Sequence, residues 1–260
     1  MSTLVLGYWN IRGLAESIRL LLHYLEVDYK EELYEFGSAP DYSLDSWYKV
    51  KYTLGFDYPN LPYLIDGDFK MTESNAILRY ISEKYKPELL GTTIKEKAFV
   101  NMAVGVLTDL FTAKARLMYQ GKDCPGNEQF KKTMKNKLND LNKILETNKF
   151  LVGDKITYPD FLMDEITESI NELLEPIFDE YRNIKRHFET ICELPAIKKY
   201  RAERKPKPYN ARIAKLGGVV WKKNKWHITN KDLILINLNK SWNIDTKNNY
   251  FLFLKYLISI

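Results

Sequence analysis

Cysteine and histidine are scarce in this sequence, whose 260 residues include two cysteines and three histidines. The two cysteines, Cys124 and Cys192, are too few for the disulfide network that holds small secreted domains together. With only three histidines beside them, we also expect no four-ligand zinc site and no bound metal. This composition favours a reducing, cytoplasmic environment.

Long apolar runs are absent as well. No stretch reaches the ~20 consecutive apolar residues that cross a bilayer as a helix. Arg12 and Glu16 interrupt the first apolar stretch after Met1, where a secretion signal would have an unbroken apolar segment. The sequence therefore predicts neither secretion nor a membrane partner.

Excess charge is missing from most of the chain. Residues 1–221 hold 32 basic and 32 acidic side chains, and the formal net charge of +5 lies in residues 222–260, which hold seven lysines and two aspartates. A protein that binds nucleic acid presents a basic face to the phosphate backbone. We therefore expect no nucleic-acid partner for the neutral part of the chain.

Residues 222–260 also lack Gly, Ala and Pro, and they are dominated by Lys, Asn, Ile, Leu and aromatic residues. We interpret this tail as translated noncoding sequence that neither the fold nor the activity requires. The alternative is a basic, aromatic arm that touches a membrane surface or nucleic acid.

Two periodicities alternate in the first part of the chain. Residues 4–8 and 27–34 have the pattern of strands, and residues 16–25 between them have apolar side chains spaced for one face of a helix. This order predicts a βαβ unit. The long polar and aromatic stretch 36–60 that follows is too long for a simple connection, so we expect it to contribute to function.

A hairpin and a helix complete this first part. Residues 62–71 read as two short strands joined at Asp66 and Gly67, an Asp-Gly pair typical of a tight hairpin turn. Ser74 is the expected N-cap of a helix that runs to about Lys84. The order βαβ followed by ββα predicts an α/β domain over residues 1–85.

Strand patterns end before residue 93, and helical patterns take over. The motif Thr157-Tyr-Pro-Asp160 combines a capping threonine with an acid three residues later, which marks a helix start with a structural role. We therefore assign residues 92–216 to an all-α domain. Its helices are expected at about residues 93–119, 128–146, 160–173, 177–192 and 195–203.

Several polar residues are candidates for a ligand site, each with an ordinary structural alternative. A cis proline at Pro62 would leave the backbone of Leu61 free to pair with an extended peptide, although only about 5% of X-Pro bonds are cis. Ser74 at a helix start can bind a carboxylate and Glu73 an ammonium, which together suit the α-amino acid end of a ligand. A plain capping serine beside an incidental acid is the alternative.

Aromatic and basic donors form a second group of candidates. Tyr8 and Trp9 end the first strand, where α/β folds present groups to ligands, although a buried core tyrosine explains the same position. Trp47 and Lys51 carry indole and ammonium donors that can bind a carboxylate. A packed tryptophan and a solvated lysine are the alternatives.

Taken together, these segments resemble a glutathione S-transferase of the mu class, over residues 1 to about 216. The residues that carry the resemblance are, in chain order, LGYWNIRGL (6–14), RLLL (19–22), APDY (39–42) with Trp47, LGFDYPNLPYLIDG (54–67), TESNAI (72–77) and VGDKITYPDF (152–161).

The resemblance implies a thioredoxin-like first domain, with a cis proline before its third strand, and an all-helical second domain. It also implies a cytoplasmic homodimer that conjugates glutathione, its co-substrate, to small hydrophobic electrophiles in detoxification and uses no metal.

The resemblance also implies residue roles. Tyr8 matches the catalytic tyrosine, whose hydroxyl donates to the glutathione sulfur. The electrophile-binding matches are Ile11, Ala115 and Tyr119, in a cavity shared with Trp9 and Leu14. Asp109 matches an acid that reaches into the partner subunit's site. The glutathione-binding matches are Trp9, Leu14, Trp47, Lys51, Asn60, Leu61, Glu73, Ser74 and Asp109.

Four positions depart from the mu pattern. Leu44 stands where an arginine near the glycyl end is usual, which is expected to weaken glutathione binding. Glu73 replaces a glutamine, and it still accepts from an ammonium but repels the nearby γ-glutamyl carboxylate. Ala115 replaces a larger apolar residue, which predicts a roomier electrophile pocket. Tyr58 replaces the phenylalanine that usually inserts between subunits.

Two other functions compete with this interpretation. A disulfide oxidoreductase with the same first-domain fold needs a reactive cysteine near the first helix, and no cysteine precedes Cys124. A noncatalytic binder of hydrophobic ligands is the remaining alternative, which Tyr8 argues against and Leu44, Glu73 and the tail favour. The sequence does not identify the physiological electrophile and leaves isomerase or peroxidase side activities open.

Overall fold

A four-stranded mixed sheet forms the first part of the chain in the computed structural model, which describes residues 3–39, 41–211 and 214–216. The interpretation of residues 222–260 lies outside these described residues. The sheet order is β2-β1-β3-β4, with β1 parallel to β2 and antiparallel to β3, and β3 antiparallel to β4. Its strands are β1 (Leu4–Trp9), β2 (Tyr29–Tyr34), β3 (Tyr63–Asp66) and β4 (Phe69–Thr72).

Three helices belong to this part, α1 (Ala15–Tyr24), the short α2 (Asp45–Tyr48) and α3 (Ser74–Tyr85). The predicted βαβ unit and hairpin are confirmed, since α1 connects the parallel pair β1 and β2 while β3 and β4 pair across the Asp-Gly turn. Gly67 has a φ of +62° in that turn, a conformation that glycine adopts without steric cost. α2 was not predicted, because four residues are too few to show a helical period.

Helices form the second part of the chain. The predicted single helix over residues 177–192 is wrong, because Tyr181 has φ −101° and ψ 76°, outside the helical region, and its side chain is buried in the core. The chain therefore turns at Tyr181 and starts a new helix. The helices are α4 (Ile94–Gln120), α5 (Glu128–Thr147), α6 (Tyr158–Leu173), α7 (Ile177–Glu180), α8 (Arg182–Cys192) and α9 (Pro195–Glu203), preceded by a 3-10 turn at Pro87–Leu90.

α4 is the longest helix and has two different faces. One face packs against α5 and α6 and buries Leu107, Leu110 and Leu117, while Phe99 and Met102 are exposed on the other. By length and composition alone, α4 is the one helix in the described part of the chain that could cross a membrane. A core helix meets the same criterion, and α4 has the contacts of one.

The start of α6 is built as the sequence predicts. Asp160 Oδ2 accepts hydrogen bonds from the backbone N–H of Thr157 at 2.7 Å and from its hydroxyl at 2.8 Å, which completes a capping box. Asp160 Oδ1 accepts from the backbone N–H of Leu151 at 2.9 Å and lies 2.9 Å from His187 Nε2. Asp160 thus joins α6, the loop before it and α8.

Replacing Asp160 by alanine should therefore destabilise the fold. Asp160→Ala leaves several buried donors without an acceptor, and we expect the free energy of unfolding to fall by about 3 kcal/mol. Urea unfolding followed by circular dichroism measures this. Asp154→Ala, which removes an exposed carboxylate from the same loop, is the matched control, and equal losses in the two variants would contradict the assigned role.

Candidate active site

The predicted ligand-binding residues of the first domain meet at one edge of the sheet. Because β1 is antiparallel to β3 and β3 is antiparallel to β4, the end of β1, the start of β3 and the end of β4 lie at this edge. The end of β2 lies there too, since β2 is parallel to β1. The edge therefore brings together Tyr8 and Trp9, Asn60 and Leu61, Glu73 and Ser74, and the segment after β2 that contains Trp47 and Lys51.

Tyr8 lies on β1 with its side chain almost fully covered. Its hydroxyl oxygen accepts a hydrogen bond from the backbone N–H of Leu14 at 3.1 Å, which leaves the hydroxyl proton available for another acceptor. Burial raises the pKa of Tyr8 to about 12, although the bond from Leu14 and the charge of Arg19 oppose the rise. The Tyr8 hydroxyl is therefore protonated across the physiological pH range and has a proton to donate.

Gly13 is a candidate site residue to which the sequence analysis gave no role. It has a φ of +42°, and a Cβ placed on it would lie 2.6 Å from the Tyr8 hydroxyl oxygen. Only glycine therefore lets the loop between β1 and α1 approach Tyr8 so closely. The signal available in the sequence was a glycine in the short connection between a strand and a helix.

Trp47 and Lys51 offer donors that the protein itself does not use. Trp47 is fully buried beside the ring of Tyr34, with ring centroids 5.2 Å apart, and its indole nitrogen has no hydrogen-bond partner among the described residues. The Lys51 ammonium lies 5.5 Å from the ring centroid of Tyr48 and pairs with no carboxylate in the described part of the chain. Buried polar groups normally have a partner, so the unused indole N–H points to a ligand acceptor.

Asn60 and Leu61 precede β3 with the geometry of a peptide-binding segment. The Leu61–Pro62 bond is cis, where frequency alone favoured trans. Leu61 is fully buried, and Asn60 Oδ1 is buried without a hydrogen-bond partner among the described residues. This unpaired acceptor is the second buried polar atom at the same edge of the sheet that fits a ligand donor.

The start of α3 differs by one residue from the prediction. The N-cap is Glu73 and not Ser74, because Glu73 has φ 72° and ψ 109° and the first helical hydrogen bond runs from the Ile77 N–H to the Glu73 carbonyl at 2.9 Å. This φ is rare for a residue other than glycine and often marks a binding site. It leaves the Ser74 hydroxyl among the free N–H groups of the first helical turn, the arrangement that binds a carboxylate.

The predicted electrophile-binding residues come from the loop after β1 and from α4. The Tyr119 hydroxyl accepts from the Ala211 N–H at 3.3 Å, and the neighbouring Tyr209 carbonyl accepts from the Gly13 N–H at 3.0 Å, so α4 and the loop are joined through one segment. Among the predicted residues, Trp9, Ile11 and Ala115 are buried, and Leu14 and Tyr119 are half-buried.

Phe111 is a further candidate on α4 that the sequence analysis missed. It shares a helix face with Ala115 and Tyr119 at spacings of four residues, which is the signal that could have found it. The Lys114 ammonium lies 4.6 Å from the Phe111 ring centroid, and this cation–π contact helps to fix the orientation of the ring.

Asp109 lies apart from these residues, on the exposed side of α4. Its carboxylate pairs with Lys137 of α5 at 3.0 Å, and its side chain is 62% exposed. A role for Asp109 at the edge of the sheet requires a second copy of the chain.

A cavity of about 440 Å³ lies elsewhere, at the end of α4. It is lined by Gln120, Cys124, Leu173, Leu174 and Leu216 among others, and by none of the predicted site residues. In the part of the chain that the structure describes, no group of three metal-ligating side chains lies close enough together to hold a metal ion.

Comparisons with protein families agree with this geometry. Residues 4–83 match the family model described as glutathione S-transferase, N-terminal domain, and residues 108–204 match the model of its C-terminal domain. The first match contains the strands whose ends form the candidate site.

The chain matches curated relatives over nearly their whole length. The chain is 37% identical over 215 residues to a glutathione S-transferase of Dermatophagoides pteronyssinus, covering 83% of this chain and 97% of the relative. It is 41% identical over 224 residues to glutathione S-transferase Mu 2 of Pongo abelii, covering 82% and 98%. Glutathione S-transferase Mu 3 of Homo sapiens is 39% identical over 202 residues, which is 77% of this chain and 87% of the relative.

Solved structures show the same architecture. The glutathione S-transferase Blo t 8 superposes with a TM-score of 0.68 at 30% identity, over 82% of this chain and 99% of that one. A pi-class glutathione S-transferase of Onchocerca volvulus superposes with a TM-score of 0.69 at 26% identity, over 82% and 100%.

Proposed function

The chain belongs to the glutathione S-transferase family, mu class, and we propose that it transfers the thiolate of glutathione to small hydrophobic electrophiles. In this reaction the sulfur forms a bond to an electrophilic carbon, the leaving group departs with its electron pair, and the thiol proton passes to solvent. The single observation that carries the proposal is the position of the Tyr8 hydroxyl. It is protonated, accepts a hydrogen bond from the Leu14 N–H, and lies at the edge of the sheet where the unpaired Trp47 and Asn60 atoms also lie.

Tyr8 is proposed to act on the thiolate. A thiol with a pKa of about 8.5 is only a few per cent ionised at pH 7, so the protein must favour the charged form. A hydroxyl that donates to sulfur stabilises the thiolate and not the thiol, and a shift of about two pKa units corresponds to ~2.7 kcal/mol. The raised pKa of Tyr8 supports a donor and opposes a general base.

The glutathione backbone is proposed to lie along residues 1–85. Asn60 and Leu61 would pair with its peptide groups, as the unpaired Asn60 oxygen and the cis bond support. Ser74 at the start of α3 would bind the γ-glutamyl carboxylate, with Glu73 beside its ammonium. Trp47 and Lys51 would bind the glycyl carboxylate, which their unused donors support. Trp9 and Leu14 complete the proposed glutathione contacts.

The electrophile is proposed to bind between residues 92–216 and the loop after β1. Ile11, Ala115 and Tyr119 supply apolar surface there, and binding would place the electrophilic carbon beside the sulfur. The noncatalytic alternative is not favoured, because the relatives are named as transferases and Tyr8 has the geometry of a donor. The free thiols Cys124 and Cys192 support a cytoplasmic location.

We propose that the active form is a homodimer. Tyr58 is 81% exposed and Phe99 and Met102 are more than half exposed, which leaves apolar side chains that a partner subunit would cover. Met102 and Asp109 lie seven residues apart on the same face of α4 as Phe99. In a dimer through this face, Asp109 would exchange its pair with Lys137 for the partner's glutathione ammonium.

Removing the Tyr8 hydroxyl tests the mechanism. Tyr8→Phe should lower the rate of conjugation at pH 7 by about 10- to 100-fold, because the thiolate loses its donor, while glutathione affinity stays within about twofold. A spectrophotometric assay with chlorodinitrobenzene and calorimetric binding of glutathione measure the two quantities. Tyr85→Phe, at the far end of α3, is the control, and wild-type turnover in Tyr8→Phe would overturn the mechanism.

Removing the Lys51 ammonium tests the glycyl site. Lys51→Met should raise the KM for glutathione about tenfold with little change in kcat, because one charge-assisted bond to the substrate is lost. Lys49→Met, two residues away and 76% exposed, removes a lysine that pairs with Asp45 and should leave KM unchanged. Glutathione with its glycyl carboxylate amidated should show no difference between wild type and Lys51→Met, and a persistent difference would contradict this contact.

A charge at Tyr58 tests the dimer. Tyr58→Lys should give monomers whose activity is lower by about tenfold or more, because a buried unpaired ammonium opposes association. Sedimentation velocity and the conjugation assay measure both effects. Leu33→Lys, a comparable change on the exposed side of β2, should stay dimeric, and fully active Tyr58→Lys monomers would refute the requirement for a dimer.

A further inference from the structure

The loop of residues 10–14, which joins β1 to α1, determines where the partner of Tyr8 lies. The Leu14 N–H that donates to the Tyr8 hydroxyl belongs to this loop, and Leu14 precedes the first residue of α1. A displacement of the loop by one ångström would lengthen this hydrogen bond beyond its useful range. The contacts that hold the loop therefore decide how Tyr8 is hydrogen-bonded.

The segment after α9 holds the backbone of the loop. The Arg12 N–H donates to the Pro208 carbonyl at 2.8 Å, and the Gly13 N–H donates to the Tyr209 carbonyl at 3.0 Å. From the other side, Arg19 of α1 donates through Nη1 to the Ile11 carbonyl at 3.1 Å. The loop of the first domain is thus bound to the C-terminal segment of the second.

The Arg12 side chain provides the strongest attachment. It is 5% exposed, and its Nη2 pairs with the carboxylates of both Glu165 and Glu168 on α6. Its guanidinium carbon lies 4.0 Å from the ring centroid of Tyr209. Both pairs use the same nitrogen, while the planar guanidinium lies over the Tyr209 ring, a contact that the compact lysine ammonium cannot reproduce in the same way.

Other charges surround this attachment. Burial disfavours the charged form of both Arg12 partners. It raises the pKa of Glu165 to about 7, whereas Arg12 and Arg201 outweigh it at Glu168 and hold that pKa at about 2. The charges that face Arg12 or its partners come from every neighbouring element: Glu16 and Arg19 of α1, Lys114 of α4, Asp164, Glu165 and Glu168 of α6, and Arg201 and Arg204 of α9.

We propose that Arg12 is a positioning residue for the reaction, which fixes the Leu14 N–H against the Tyr8 hydroxyl through its pairs with Glu165 and Glu168, so that the helical domain controls how well Tyr8 stabilises the thiolate. This inference rests on the proposed function. Arg12 acts through Leu14 and Tyr8 and does not touch the substrate. It also explains why a strand-to-helix loop carries a buried arginine whose partners lie more than 150 residues away.

The test is the pH dependence of glutathione conjugation in Arg12→Lys. The variant keeps the positive charge but replaces the planar guanidinium over Tyr209 by a shorter, compact ammonium, so the loop loosens. From a wild-type thiol pKa of about 6.5, we expect the apparent pKa of the bound thiol to rise by about half a unit to one unit, which lowers the rate about 1.5- to threefold at pH 7 and about three- to ninefold at pH 5.5. Above the new pKa the rate should return to the wild-type plateau, a recovery that general structural damage would not give.

Arg204→Met is the matched control. It removes another arginine from the same group of charges, one that pairs with Glu16 and, at 3.6 Å, with Glu168. Arg204 has no hydrogen bond to residues 10–14 among the described residues and leaves both Arg12 pairs in place, so the thiol pKa should stay at its wild-type value. The ultraviolet absorbance of the bound thiolate gives an independent reading of the same pKa. A wild-type thiol pKa in Arg12→Lys would overturn the proposal, and so would an equal shift in both variants.

A second variant decides the matter if Arg12→Lys does not fold. Glu168→Leu removes one acceptor of Arg12 Nη2 together with a negative charge. Loss of positioning raises the thiol pKa, whereas loss of the negative charge alone lowers it. A raised pKa supports the proposal, and a pKa at or below the wild-type value overturns it.

The outcome is separable from the proposed function. A wild-type protein that produces no thiolate absorbance with glutathione contradicts the proposed function itself. A wild-type thiolate spectrum that Tyr8→Phe abolishes and that neither Arg12→Lys nor Glu168→Leu shifts contradicts the role of Arg12 alone.

Discussion

The need to pair buried charges is the constraint on which the arrangement of the two domains depends. An ion removed from water costs several kcal/mol unless it has a counter-ion with good geometry. At this interface the partners come from a loop and a helix of the first domain and from α6 and α9 of the second, so the domains can satisfy their charges only in one relative position. The paired side chains are Arg12, Arg19, Arg201, Arg204, Glu16, Asp164, Glu165 and Glu168.

Such a network specifies geometry more than it adds stability. Apolar packing between α1 and α6 would tolerate a small slip, because dispersion contacts have no preferred direction. Arg12 does not, since its Nη2 must meet two carboxylates and its backbone N–H must meet the Pro208 carbonyl. The precision required by a hydrogen bond at Tyr8 therefore comes from polar contacts outside the site, and the apolar core supplies the rest of the stability.

Local periodicity was enough to predict much of the fold, and long-range contacts explain what it missed. The βαβ unit, the hairpin and the capping box at Thr157 depend on residues close in sequence, so their signals are local. The break at Tyr181 depends on burial of its side chain in a core made by distant helices. The N-cap at Glu73 depends on a positive φ that propensity does not predict for glutamate.

The candidate site, like the fold, could be predicted from the sequence only in part. Residues near the strand ends could be named from the sequence, but most were assigned through a family resemblance, because the residues alone left a structural alternative open at each position. The unpaired atoms of Trp47 and Asn60 became visible only in three dimensions, where the absence of a partner among the described residues can be checked.

Neither Gly13 nor Arg12 was given a role from the sequence, because both act on the loop of residues 10–14 and neither is assigned a contact with the ligand. Tyr8 completes this argument, because burial raises its pKa to about 12 and keeps its hydroxyl protonated, and a hydroxyl donates in a fixed direction only if its own oxygen is held in place. The helical domain, through Arg12, provides that restraint.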